Sequence, residues 1–352
     1  MQYSFETTGQ PINSLYMIRR IHTMFVLVLF ALIFCGKAEA QQDSTIIDIP
    51  PDTALVAGPL IPATSGMDRA WEVPHNPFVD TTSLPTDISQ REQVLRGFNM
   101  FMDTRRNAPR MSGNMMSCNH CHPNSGQREK GMPLVGVAVA FPEYNKRSGR
   151  IFTLEDRIIG CLLRSCNASA KKNIAAHEND TLHGALSAHS PEVQALAAYI
   201  NWISKGFDVG ENISWRGHNT LPQEKLVSMN TLDPKLGRKL YVEHCSGCHG
   251  KNGQGVDIGD KRPGPLWGQK SWNDGSGAAR TYTLAGIIRY AMPYLNPGSL
   301  TDEEAQHIAA YITSKSRPKF PRKEKDYLKE QIPVDAVYYP QLYKTNPLRK
   351  GK

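Results

Sequence analysis

The chain has 352 residues, 40% of them hydrophobic and 21% charged, with seven cysteines and a formal charge of +8. That length suits about two domains, and the apolar fraction is enough for ordinary cores. Most of the charge excess lies in residues 317–352, which hold ten Lys/Arg against four Asp/Glu, and no nucleic-acid motif accompanies it, so a nucleic-acid partner is set aside.

Residues 1–40 read as an export signal. Arg19 and Arg20 precede an apolar run of about a dozen residues, then Ala38-Glu39-Ala40 forms a small-x-small cleavage site. The run is short for a membrane span, and no other segment is apolar for 18 residues. Translation from Met17 is an alternative start. Cys35 is a weak lipoprotein candidate, because bulky Phe34 precedes it. The expected mature chain is exported, periplasmic and without a membrane span. Residues 41–85 are rich in Pro and Thr and read as an irregular extension.

Two parallel series of elements follow. "ISQREQVLRGFNMFMD" predicts a helix with Val94, Leu95, Phe98 and Phe101 on one side. It leads to "CNHCH", Cys118 to His122. Later, "DPKLGRKLYVEHC" predicts a helix capped by Asp233 with Pro234 in its first turn and Leu236, Leu240 and Tyr241 inward. It leads to "CSGCH", Cys245 to His249. Further helices follow each motif: "SPEVQALAAYINWISKG", bounded by Ser190 and Gly206, and "TDEEAQHIAAYI", with Thr301 and Glu304 as a capping box. Residues 207–232 are polar and punctuated by Gly and Pro, a linker between the halves.

C-x-x-C-H is the covalent haem attachment pattern. Two thiols three positions apart can add to the two vinyl groups of one haem, and the adjacent His then lies under the iron. A disulfide inside each motif leaves both histidines unexplained. The expectation is two haems c, held by Cys118, Cys121 and His122 and by Cys245, Cys248 and His249. The expected fold is all-α, with two tandem cytochrome c domains. Their bounds are 86–206 and 233–316, with a basic tail over 317–352 that is solvated or docks an acidic partner.

Met292, in "RYAMPYLNPG", falls 43 residues after His249, where a distal methionine is expected; mid-helix His307 is a weaker rival. The first half has no Met-Pro at that distance, since Met132-Pro133 is only 10 residues past His122. Cys161, 39 residues after His122, takes the place instead, with His177 as runner-up. Thr153 and Asp156 open a helix on which Arg157, Cys161, Arg164 and Ser165 share one face. Two guanidinium groups beside a thiol favour the thiolate and could hold a small dianion. Cys166 is turned about 140° from Cys161 and reads as a small buried residue.

"EDRIIGCLLRS-N" resembles the surroundings of the haem-ligating cysteine in periplasmic dihaem thiosulfate dehydrogenases. "GPLWGQKSWNDGSGAARTYTLAGIIRYAMP" and "GSLTDEEAQHIAAYITSKSRPKFP" resemble their second domain. The first domain is also similar to the A subunit of the sulfur-oxidising multienzyme complex. The resemblance covers roughly residues 90–325. It implies a dihaem cytochrome c that joins two thiosulfates into tetrathionate, in one or both directions, and exchanges electrons with a soluble partner such as a small cytochrome. It implies Cys161 as the haem-1 ligand and reactive sulfur, Met292 as the haem-2 ligand, and Arg157, Ser165 and Arg147 lining the anion pocket. Cys166 and Ala291 depart from the family pattern; at the second position some members have a lysine able to ligate haem 2. A dihaem peroxidase and a dihaem electron carrier are the other readings of the two motifs.

Overall fold

Asp87 accepts the backbone N–H of Gln90 and so opens helix α1 (Ile88–Met102). The computed structural model describes residues 76–171, 186–259 and 261–339. The leader with Cys35, most of the 41–85 extension, His177 and residues 340–352 lie outside the described residues. Short helices α2 (Thr104–Asn107) and α3 (Cys118–Cys121) follow α1. Then come strands β1 (Glu143–Asn145) and β2 (Arg150–Phe152), α4 (Leu154–Arg164) and α5 (Pro191–Trp202). The second half comprises α6 (Pro234–His244), α7 (Ser246–His249), α8 (Thr281–Ala291) and α9 (Asp302–Thr313).

The internal repeat is one helix crossing made twice. On α1, a Cβ added at Gly97 would meet the Ala195 carbonyl oxygen of α5 at 1.9 Å and Tyr199 Cβ at 2.9 Å. On α6, a Cβ at Gly237 would meet the His307 carbonyl oxygen of α9 at 1.9 Å and Tyr311 Cβ at 3.0 Å. Only glycine lets the two backbones approach so closely. One turn further along, Phe101 packs on Tyr199 and Tyr241 on Tyr311, each pair with ring centroids 5.4 Å apart. Leu236, expected inward on α6, is 39% exposed instead, because Gly237 takes the contact position.

The fold is mostly helical, with one antiparallel hairpin pairing Glu143 with Phe152. The hairpin lay beyond helical patterning: each strand has three residues, and Tyr144 and Ile151 point outward. It positions α4. Arg150 donates to both Asp156 carboxylate oxygens at 2.9 and 2.8 Å, and Asp156 forms a capping box with Thr153.

The linker and the tail are both packed. Phe207, Ile213 and Trp215 bury against Val135, and Trp215 Nε1 donates to the Val135 carbonyl at 3.0 Å. Past Arg317 the expectation of a solvated tail fails as far as residue 339. Phe320 enters the core of α1, α4 and α5, while Val337 and Tyr338 enter that of α6, α8 and α9. The charge count misled because aromatic, small apolar and acidic residues bury here between the basic ones. Asp335 accepts from Arg280 Nη2 at 2.8 Å and from the Tyr282 N–H at 3.0 Å.

Candidate functional site

The helix crossings hold α3 and α7, which carry the two C-x-x-C-H turns. In the first, Ser117 precedes Cys118 and its Oγ accepts the Thr104 N–H at 3.1 Å. Cys118 and Cys121 are free thiols, half-buried, as is Cys245. His122 Nδ1 hydrogen-bonds the Met132 carbonyl at 2.6 Å, which puts the ring proton on Nδ1 and leaves Nε2 free as a ligand. Burial lowers the His122 pKa to about 4, with the Met132 contact opposing and the charge of Arg157 assisting. Met132, rejected as a distal ligand for its spacing, therefore acts through its backbone, in a left-handed turn at φ 54°.

The second turn is arranged alike. Burial lowers the His249 pKa to about 4. Its Nδ1 is buried without a hydrogen-bond partner, unlike that of His122, and the backbone of Gly264 opposes the shift. Burial raises Cys245 to about 12, as it does Cys121. Both imidazoles are thus neutral near pH 7, as iron ligation requires.

These residues fit haem c. Neither cysteine pair is closed as a disulfide. Three buried donors, Arg128 Nη1, Trp272 Nε1 and Arg317 Nη1, lack a protein partner. Such orphans are costly, and the carboxylates of a haem are acceptors of the kind they lack.

Cys161 sits on α4, half-buried, close enough to Cys121 for its charge to oppose ionisation of that thiol. Arg157, one turn earlier, is exposed and acts on His122. The other expected pocket residues gather elsewhere. Arg164, expected beside the Cys161 thiol, is buried and paired with Asp326. Its Nη1 also donates to the Gly275 carbonyl at 3.1 Å. Arg147, at the hairpin tip, donates to that same carbonyl at 2.5 Å. Its pKa is raised, with burial opposed by the fields of Tyr339, Tyr327 and Asp326. Ser165 Oγ lies 3.1 Å from Ser276 Oγ. Arg147, Arg164 and Ser165 therefore meet at the Gly275–Ser276 turn of the second half, and Arg157 stands apart from them. Sequence reasoning missed Gly275, Ser276 and Asp326; "WNDGSG" signals a turn but not its contacts.

Cys166 is buried beside Cys118, and that contact raises its pKa well above the ordinary thiol value. Met292 ends α8 as its C-terminal cap and is partly buried. His307 is committed elsewhere, since its Nδ1 accepts the Asp233 N–H at 2.9 Å.

Residues 108–209 match a family described as SoxA/TsdA, cytochrome c domain, and residues 233–312 match cytochrome C oxidase, cbb3-type, subunit III. The chain is thus a haem c-binding cytochrome with one attachment turn in each matched region. Thiosulfate dehydrogenase of Psychrobacter arcticus is 34% identical over 300 residues, 85% of this chain and 84% of that one. The Allochromatium vinosum enzyme is 35% identical over 249 residues, 69% of this chain and 84% of its own. A solved structure of thiosulfate dehydrogenase TsdBA from Marichromatium purpuratum aligns with a TM-score of 0.58 at 32% identity, over 73% of this chain. The match spans 51% of that longer chain. The protein belongs to the thiosulfate dehydrogenase family.

Proposed function

We propose that the protein is a dihaem thiosulfate dehydrogenase that joins two thiosulfates into tetrathionate at Cys161. The observation that carries this reading is the position of Cys161, on the helix beside the first attachment turn and within electrostatic reach of Cys121. Haem bound at each turn supplies a one-electron acceptor. Cys161 thiolate bonds to the terminal sulfur of one thiosulfate, and two electrons leave. A second thiosulfate then attacks that sulfur, the bond to Cys161 breaks, and tetrathionate departs with the thiolate restored. Arg157 offsets repulsion between the two dianions, a large cost where water is scarce. His122 and Cys161 would hold the first haem iron, and His249 and Met292 the second. Thiolate ligation lowers a potential and methionine ligation raises it, so haems held there would favour electron flow from the first site to the second and on to a soluble acceptor such as a small cytochrome. The export signal read in residues 1–40 supports a periplasmic setting. Among the described residues no helix is long and apolar enough to cross a membrane.

Low-temperature EPR of the oxidised holoprotein tests the ligand assignment. A low-spin thiolate signal beside a His/Met signal is expected. A high-spin haem would favour a peroxidase, and two His/Met signals a carrier. Haem content should be two per chain and resist acid–acetone extraction. Met292→Ala should lower the second potential, and an unchanged value would remove Met292 from the ligand set.

A further inference from the structure

The last carbonyls of a helix have no partner within it. At the C-terminal end of α4, the helix that carries Cys161, two of them accept from Asn273, a fully buried residue of the second half. Asn273 Nδ2 donates to the Leu163 carbonyl at 2.9 Å, which Ser169 Oγ also reaches at 3.0 Å. The Asn273 backbone N–H donates to the Arg164 carbonyl at 3.0 Å. The next carbonyl, Ser165, accepts from Asn114 Nδ2 at 2.7 Å, and the same nitrogen donates to the Ser271 carbonyl of the second half at 3.0 Å. Asn273 is itself held by its turn: its Oδ1 accepts the Gly275 N–H at 3.1 Å and its carbonyl the Ser276 N–H at 3.0 Å. The Gly275 carbonyl of that turn is the one that takes Arg147 and Arg164.

We infer that Asn273 is a positioning residue for Cys161, through which the second half sets where the thiol stands. The inference rests on the reading of Cys161 above. Asn273 bonds to the backbone of α4 and to its own turn, so it acts through the helix. The N-terminal end of α4 has a separate anchor within the first half, made by the Thr153–Asp156 capping box and the Arg150–Asp156 pair. Arg157 adjoins that anchor. Cys161 stands two residues before Leu163, beside the anchor supplied by Asn273. Loosening the second anchor therefore displaces the thiol more than the guanidinium. Misplacing a reacting group by about 1 Å can cost about a hundredfold in rate, so the loss falls on kcat before it falls on KM.

The test is thiosulfate kinetics and low-temperature EPR on the holoprotein. Asn273→Asp keeps the side chain's shape and the acceptor for the Gly275 N–H, and replaces the donor facing Leu163 with an oxygen. It should lower kcat at least about tenfold and leave the thiosulfate KM within about twofold. The first haem's signal should shift while the second haem's stays as it was, although the substitution lies in the second half. Asn114→Asp makes the same exchange against the Ser165 carbonyl from the first half. It should act in the same direction, so the test survives if Asn273→Asp assembles poorly. An unshifted first-haem signal with kcat near wild type in these variants, at two haems per chain, would overturn the inference alone. Equal shifts at both haems would also overturn it, since they mark a general loosening of the fold. Turnover retained in Cys161→Gly would instead overturn the reading of Cys161 beneath it.

Discussion

Arg164 and Asp326, 162 residues apart, form a two-pronged ion pair, with Nη1–Oδ2 at 2.8 Å and Nη2–Oδ1 at 2.7 Å. The guanidinium lies over the Phe320 ring at 3.9 Å, and the Tyr339 hydroxyl donates to Asp326 Oδ2 at 2.5 Å. The helix that carries Cys161 is thereby tied to the C-terminal segment. Arg164 is spent on this tie and is not free to hold a substrate anion.

Asp326→Ala removes one partner and leaves a buried guanidinium unpaired. Loss of about 3–5 kcal/mol is expected, because breaking a buried pair strands the other charge. The exposed Arg216–Glu143 pair should be worth roughly 0–1 kcal/mol. Chemical denaturation of both variants checks the contrast; equal losses would show that the C-terminal tie bears no special weight.

The repeated helix crossing makes a second prediction. Gly237→Ala should destabilise the second half by at least about 1–3 kcal/mol, the usual cost of overpacking a tight contact. Gly97→Ala should do the same in the first half. A melting temperature unchanged in either variant would mean that the crossing relaxes without cost.

The two remaining arginines should separate by kind of effect. Arg157 is exposed beside the first site, so Arg157→Ala should raise the thiosulfate KM roughly tenfold with fold stability intact, the scale of one charge-assisted contact. Arg147 is buried against Gly275 and the field of Asp326. Arg147→Ala should lower the melting temperature as well as activity. If neither variant changed the rate at low substrate, the anion pocket would lie elsewhere.

These contrasts show what spacing could and could not reveal. The caps at Thr153, Asp233 and Thr301 and the helices they open are local patterns, and they stand in the structure as read; the cap at Asp87 went unread. The helix that carries Arg157, Cys161 and Arg164 was also legible, but the three do not present one face: Arg157 is exposed and Arg164 is buried against Asp326. What Arg164 and Ser165 meet was not legible, because Asp326, Gly275 and Ser276 come from more than 100 residues away. Leu236 was misplaced because hydrophobicity outranks glycine in a periodic pattern, whereas a close helix crossing reverses that order. The packed stretch 317–339 was hidden by its lysines, whose charge reads as solvated, although Lys323 pairs with buried Asp274 while neighbouring aromatic residues bury.

The central claim is that Cys161 is the reactive sulfur. Cys161→Gly leaves Cys118, Cys121 and His122 untouched, so both haems should remain attached while the first haem's spectrum changes. Cys166 is buried against Cys118, and Cys166→Ala, which adds no polar group to the core, is the control. The direct measurement is tetrathionate turnover, in both directions, for the two variants at equal haem loading. The account predicts no turnover for Cys161→Gly and most of the activity for Cys166→Ala. Substantial turnover in Cys161→Gly, or loss confined to Cys166→Ala, would contradict it.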